Sequence, residues 1–151
     1  MVSDPGGGHT EAGTRGALGD HARQRRGGRR RRQRNEAEQS AIAGFRAELL
    51  QHGREPVDTA WAASTGRALN ERLEQASREF GFRVAATDCR SETCSATLTW
   101  PSAAAAAGEF PRWFPQQIDM RCSRHGQLDG TGNATVLFTC ARTNQAGGES
   151  P

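Results

Sequence analysis

The sequence predicts an α+β fold: one antiparallel four-stranded sheet with helices against a single face, in the order α-α-β-β-α-β-β. Three observations carry this. Short runs in the C-terminal half alternate apolar and polar residues about turn-forming segments, the period of two that belongs to strands. Two earlier segments repeat apolar residues at helical spacing. The four cysteines fall as one pair about each of two hairpin turns.

Composition divides the chain before any element is considered. Hydrophobic residues are 34% of the 151 and the mean hydropathy is −0.76, too polar for the whole length to enter a core. The deficit lies at the N-terminus, where residues 1–35 carry glycine runs and an arginine cluster and are expected to be a disordered tail. Residues 1–34 hold nine arginines against three acids, a net +6, whereas the remainder holds eleven against fourteen, a net −3. The sequence pI near 9.0 therefore belongs to the tail. Arg25, Arg26, Arg29, Arg30, Arg31, Arg32 and Arg34 could grip nucleic-acid phosphates or an anionic surface through charge alone. A solvated tail is the plainer reading of such a run.

No transmembrane segment is expected, because the longest apolar stretch, residues 103–107, is far short of the ~20 residues required. No signal peptide is read either, since Glu36, Glu38, Arg46 and Glu48 interrupt the segment after the arginines.

The elements come in order along the chain. Ile42, Phe45 and Leu49 recur at helical spacing, so residues 36–54 are an amphipathic helix and linker with Gly53 as a stop. The domain proper spans residues 55–143. Its first helix is expected to be capped by Ser64, to carry the stripe Leu69, Leu73, Ala76 and Phe80, and to end at Gly81. Residues 82–88 form a strand with Phe82, Val84 and Ala86 on one face. Residues 94–100 form the next, with Cys94, Ala96, Leu98 and Trp100 on one face and Ser95, Thr97 and Thr99 on the other. Ser102 caps a short helix over residues 103–107, kept brief by Gly108 and Pro111. Phe110, Trp113 and Phe114 are read as a plug closing the core rather than a binding surface. Ile118, Met120 and Cys122 alternate as a third strand, and Val136, Phe138 and Cys140 as a fourth. Residues 129–133 are the turn between them, and residues 144–151 a frayed tail.

Pairing about Gly130–Gly132 sets Cys122 opposite Cys140 and Gly126 opposite Val136, on the apolar parity of both strands, which is the geometry of a disulfide. The first pair is harder. Direct facing of Cys89 and Cys94 would turn Phe82, Val84 and Ala86 outward. Cys89 is therefore placed in the turn with Asp88 opposite Cys94, and a disulfide is expected with a bulge or offset beside it. Structural zinc is the rival use of four cysteines, but Cys122 and Cys140 do not make a close ligand pair, so no metal or other cofactor is expected. Two disulfides imply an oxidising, extracytoplasmic setting, in tension with the missing signal peptide. Catalysis has little support: His125 is a conceivable general base with Asp88 and Ser91 near it, but a surface histidine beside a turn is the ordinary explanation. The Asn133-Ala134-Thr135 sequon is a pattern common by chance.

The segment Glu55-Pro56-Val57-Asp58-Thr59-Ala60-Trp61-Ala62, followed by a helix and by Cys89-Arg90-Ser91-Glu92-Thr93-Cys94, resembles a small domain that recurs in bacterial proteins, often exported ones. Its pattern is E-x-x-D-x-x-W-A, a helix, a strand and C-R-x-x-x-C. The resemblance implies that Glu55, Asp58, Trp61 and Arg90 frame the domain, with Trp61 as a buried anchor. Family members tend to carry an acid soon after the Trp-Ala pair, where this chain has Gly66-Arg67. The resemblance supplies no activity. The functional expectation is a non-catalytic, disulfide-stapled module for a protein or envelope partner. The alternative is a cytoplasmic nucleic-acid binder that uses the arginine tail.

Overall fold

The computed structural model describes residues 16–116, 118 and 120–142. The chain divides into two units, Met1–Ala41 and Ile42–Pro151. Helix α1 spans Gly16–Arg54. The reading of a structureless tail is thereby corrected from Gly16 onward, whereas residues 1–15 and the frayed tail at 144–151 lie outside the described residues. Inability to bury a core does not forbid a helix. Arginine, alanine and glutamine are good helix formers, so the segment can coil while every side chain over residues 19–41 stays exposed. Nor does Gly53 stop the helix, which continues to Arg54.

In the second unit, α2 (Thr59–Phe80) begins five residues before the expected Ser64 cap. Asp58 is the N-cap instead, its carboxylate accepting from Trp61 N–H at 3.1 Å. Ser64 sits inside the helix and donates back to the Trp61 carbonyl. Leu69, Leu73 and Phe80 are buried along the expected stripe, and Gly81 ends the helix at φ 71°, a left-handed conformation glycine adopts without strain.

The sheet contains β1 (Arg83–Cys89), β2 (Thr93–Thr99), β3 (Cys122–Leu128) and β4 (Asn133–Cys140), all antiparallel, in the order β1-β2-β4-β3. Between β2 and β3 runs α3 (Ala103–Trp113), capped by Ser102 as expected. It passes through Gly108 and Pro111 instead of ending at residue 107, since a proline near the last turn removes only one helix bond. Cys94, Ala96, Leu98, Ala134, Val136 and Phe138 form the inner face of the core with Leu69, Leu73 and Trp113, all of them 0–1% exposed. Trp113 sits in an aromatic cluster with Phe82, Phe110 and Phe114 at centroid separations of 5.3–6.3 Å, so the plug reading describes it well. Gly126 faces that cluster: a Cβ there would lie 2.8 Å from Phe114, so the rings close down only over a residue without a side chain.

Two strand assignments needed correction. The third strand starts at Cys122 rather than ending there, while Ile118 and Met120 lie in the approach to it. Its inward positions are Cys122, Arg124, Gly126 and Leu128, which gives no apolar alternation to recognise. Arg124 succeeds on that face because its guanidinium lies over the Trp113 and Phe114 rings, 6.0 and 5.4 Å from their centroids. In β1, Cys89 does face Cys94 directly. A register shift between Val84 and Ala86 inserts Ala85, so Val84 pairs inward with Leu98 and Cys89 pairs inward with Cys94 despite opposite parity. The bulge lies upstream in the strand and not at the turn.

Helices α2 and α3 cover the inner face. The last turns of α1 meet the other face instead, so the helices are not confined to one side. His52 bonds to Thr93 and Asp88, and His125 bonds to Glu48. Phe45, Glu48, His52 and Glu55 recur at spacings of three and four, one stripe of a helix, and Phe45 and His52 are buried. Among the described residues no helix is long and apolar enough to cross a membrane.

Candidate functional site

Three arrangements gather the residues that could recognise a partner: the disulfide turn, the polar cavity beside it, and the arginine stretch of α1.

The turn between β1 and β2 is closed by the Cys89–Cys94 disulfide, and Cys122–Cys140 closes the other pair, leaving no free thiol among the described residues. All four sulfurs are thus bonded in pairs. Glu55, just past the end of α1, places one carboxylate oxygen in the concave backbone of the turn. Oε1 accepts from Ser91 N at 2.8 Å, Thr93 N at 3.1 Å, Ser91 Oγ at 2.9 Å and Glu92 N, while Oε2 accepts from Thr93 Oγ1 at 2.6 Å. Burial, the largest single influence, opposes ionisation, yet the bonds from Thr93, Glu92 and Ser91 together outweigh it and hold the Glu55 pKa at about 2. Asp58 joins the same turn: its N–H donates to the Arg90 carbonyl, and its carboxylate accepts from Arg142, which also donates to the Ser91 carbonyl. Arg90 donates through its backbone to Thr93 and through Nε to Asp88. Trp61 is half-buried against the core cluster and not fully enclosed. Glu55, Asp58 and Arg90 thus meet at one turn, while Trp61 sits a helical turn away.

Sequence reasoning passed over His52, which is 5% exposed. The available signal was its place in the Phe45–Leu49 stripe, where a histidine interrupts an apolar pattern. Its Nδ1 lies 2.6 Å from Thr93 Oγ1 and its Nε2 3.2 Å from Asp88 Oδ2. Thr93 gives its single hydroxyl proton to the ionised Glu55, so it can only accept from His52. Asp88 likewise only accepts. Beside it lies a cavity of about 260 Å³ whose walls include Gln51, His52, Ser123, His125, Leu137 and Thr139. His125 pairs with Glu48 at 2.6 Å, whereas Asp88 and Ser91, its imagined catalytic neighbours, are bound to His52 and Glu55. The three do not assemble. Among the described residues no group of three His, Cys, Asp or Glu could hold a metal ion. The sequon residue Asn133 is also engaged, its amide bonded to Asp129 and Thr131 and its oxygen to Thr99.

The arginines of α1 have a different character. Residues 23–34 hold eight arginines and no acid, all exposed on the helix. Arg25, Arg29 and Arg32 border a shallow depression of about 520 Å³ that Gln24 and Gly28 also line.

No family model, curated protein or solved structure matches this chain.

Proposed function

We propose that this protein is a non-catalytic, disulfide-stapled domain that works in an oxidising compartment and holds a polyanionic partner on the arginine stretch of α1. The observation that carries the reading is charge density. Eight cations over twelve helical residues occupy about 18 Å, one per roughly 2.3 Å, close to the one negative charge per ~1.7 Å of a nucleic-acid duplex. Arginines three and four apart repel one another, and Gly27 and Gly28 weaken the helix further, so a counter-charge stabilises it. The non-catalytic part is supported by how the reactive side chains are used: Glu55, Asp88, Ser91 and Thr93 bond chiefly to one another and to the turn. The two disulfides and the resemblance of residues 55–100 to a domain often found in exported proteins support the compartment.

A second reading gives the stapled domain a protein partner of its own. It is favoured by Leu50 and Val57, the exposed large hydrophobics among the described residues at 63% and 56%, which flank Glu55 in sequence. Retention on immobilised heparin separates the two. The full oxidised chain elutes at high salt under the polyanion reading, and removal of residues 1–34 abolishes retention. Equal retention of the shortened chain would refute it.

A further inference from the structure

We infer that the polyanion is a nucleic-acid duplex and that α1 enters its major groove, with one row of arginines on each phosphate wall. The inference rests on the polyanion reading above and adds the kind of partner. At 3.6 residues per turn, Arg25, Arg29 and Arg32 fall within about 60° of one another around the helix, and Arg23, Arg30 and Arg34 within about 40°. The two rows stand roughly 150° apart. On that arc between them lie Arg26 and Gln33, both exposed, while Gln24, Gly28, Arg31 and Asn35 fall on the opposite, wider arc. The depression lined by Gln24, Arg25, Gly28, Arg29 and Arg32 borders the first row on its outer side, toward that opposite arc.

This arrangement matches a groove better than a plane. A major groove is about 12 Å wide and admits one α-helix, whose diameter with side chains is about 10–12 Å. Phosphates then line both flanks while Arg26 and Gln33 face base edges, where arginine and glutamine are residue types that hydrogen-bond to bases. A helix that lies in a bilayer interface needs an apolar face, and residues 19–35 offer only Ala22.

The test is fluorescence anisotropy of the full oxidised chain with a labelled 20-base-pair DNA duplex between 50 and 200 mM NaCl. Log K is expected to fall against log salt with a slope of about −5 or steeper, at about 0.9 per phosphate neutralised. The triple variants Arg25→Ala/Arg29→Ala/Arg32→Ala and Arg23→Ala/Arg30→Ala/Arg34→Ala should each flatten the slope by about 2.7. Alanine is the better helix former, so neither triple removes the helix itself. If one triple leaves the slope unchanged while the other erases it, contact is one-sided and the groove geometry is wrong. If phosphatidylserine vesicles displace the duplex at equal anionic charge, the partner is a surface, and the polyanion reading survives without this one. Failure to bind duplex, vesicles and heparin alike would overturn both.

Discussion

Glu55→Gln is the most informative single change, because it keeps the shape of the side chain and removes only its charge. In the wild type the Glu55 pKa stands at about 2 against an ordinary 4.5. At about 1.4 kcal/mol per unit this difference bounds the contribution at ~3.5 kcal/mol, and solvent screening at a partly exposed carboxylate lowers it to ~2 kcal/mol. A glutamine amide also turns an N–H toward Thr93 Oγ1 or toward the turn amides, all of which are donors to the carboxylate. The sign follows from the depressed pKa. Stabilisation is complete above pH 4.5 and is lost as pH falls toward 2. Urea unfolding of both proteins from pH 7 to pH 2, with disulfides intact, should show a gap of ~2 kcal/mol at neutral pH that closes in acid. Asp129, also held at about 2 by Thr131 N–H, Thr131 Oγ1 and Asn133, titrates in the same window but is common to both proteins and cancels in the difference. A gap that is absent at pH 7, or constant down to pH 2, would refute the reasoning.

Other changes test other parts of the fold. Removing the Cys122–Cys140 bond by paired alanine substitution should cost about 3 kcal/mol and removing Cys89–Cys94 about 2 kcal/mol, because the first closes the longer loop; urea midpoints of the two variants decide the order. Gly126→Ala should cost about 1–3 kcal/mol and raise near-ultraviolet heterogeneity, since the new Cβ meets Phe114, Phe110 and Val136; an unchanged melting temperature would mean that the rings yield freely. Asp58→Ala removes both the α2 cap and the Arg142 partner. It should cost about 1–2 kcal/mol by thermal or urea unfolding, with Arg142→Ala adding little more in the double variant.

Much of this architecture could be read along the chain because it depends on local period. The Cys94-to-Trp100 alternation fixes which face of β2 is dry, and the Leu69–Leu73–Phe80 stripe fixes which face of α2 meets it. The Cys122–Cys140 bond is legible by counting outward from the turn, which sets the register, and the two-residue period then puts both cysteines on the inward face. What failed were the places where one residue breaks the count or a polar residue takes an apolar position. Ala85 flips the parity of β1, and Arg124 occupies the core-facing side of β3 because aromatic rings accept its charge. The helix over residues 19–35 was missed because composition reports burial, and this stretch buries nothing.

The candidate sites divide the same way. The density of positive charge on α1 is a property of the sequence alone, and its arrangement in two rows needed only the knowledge that residues 23–34 are helical. The capture of the Cys89–Cys94 turn by Glu55 depends on tertiary structure: its donors lie 36 to 38 residues away, and no period or spacing links them. A carboxylate can be held by backbone N–H groups only after the fold has bent those groups toward one point. The same holds for His52, whose hydrogen-bond partners Thr93 and Asp88 reach it only because the sheet lays its polar face beneath the end of α1. The sequence thus determined the staples, the strands' dry faces and the charge. The tertiary structure decided which polar groups meet, because hydrogen bonds between distant residues have no signature in the chain until the apolar pattern has brought the chain together.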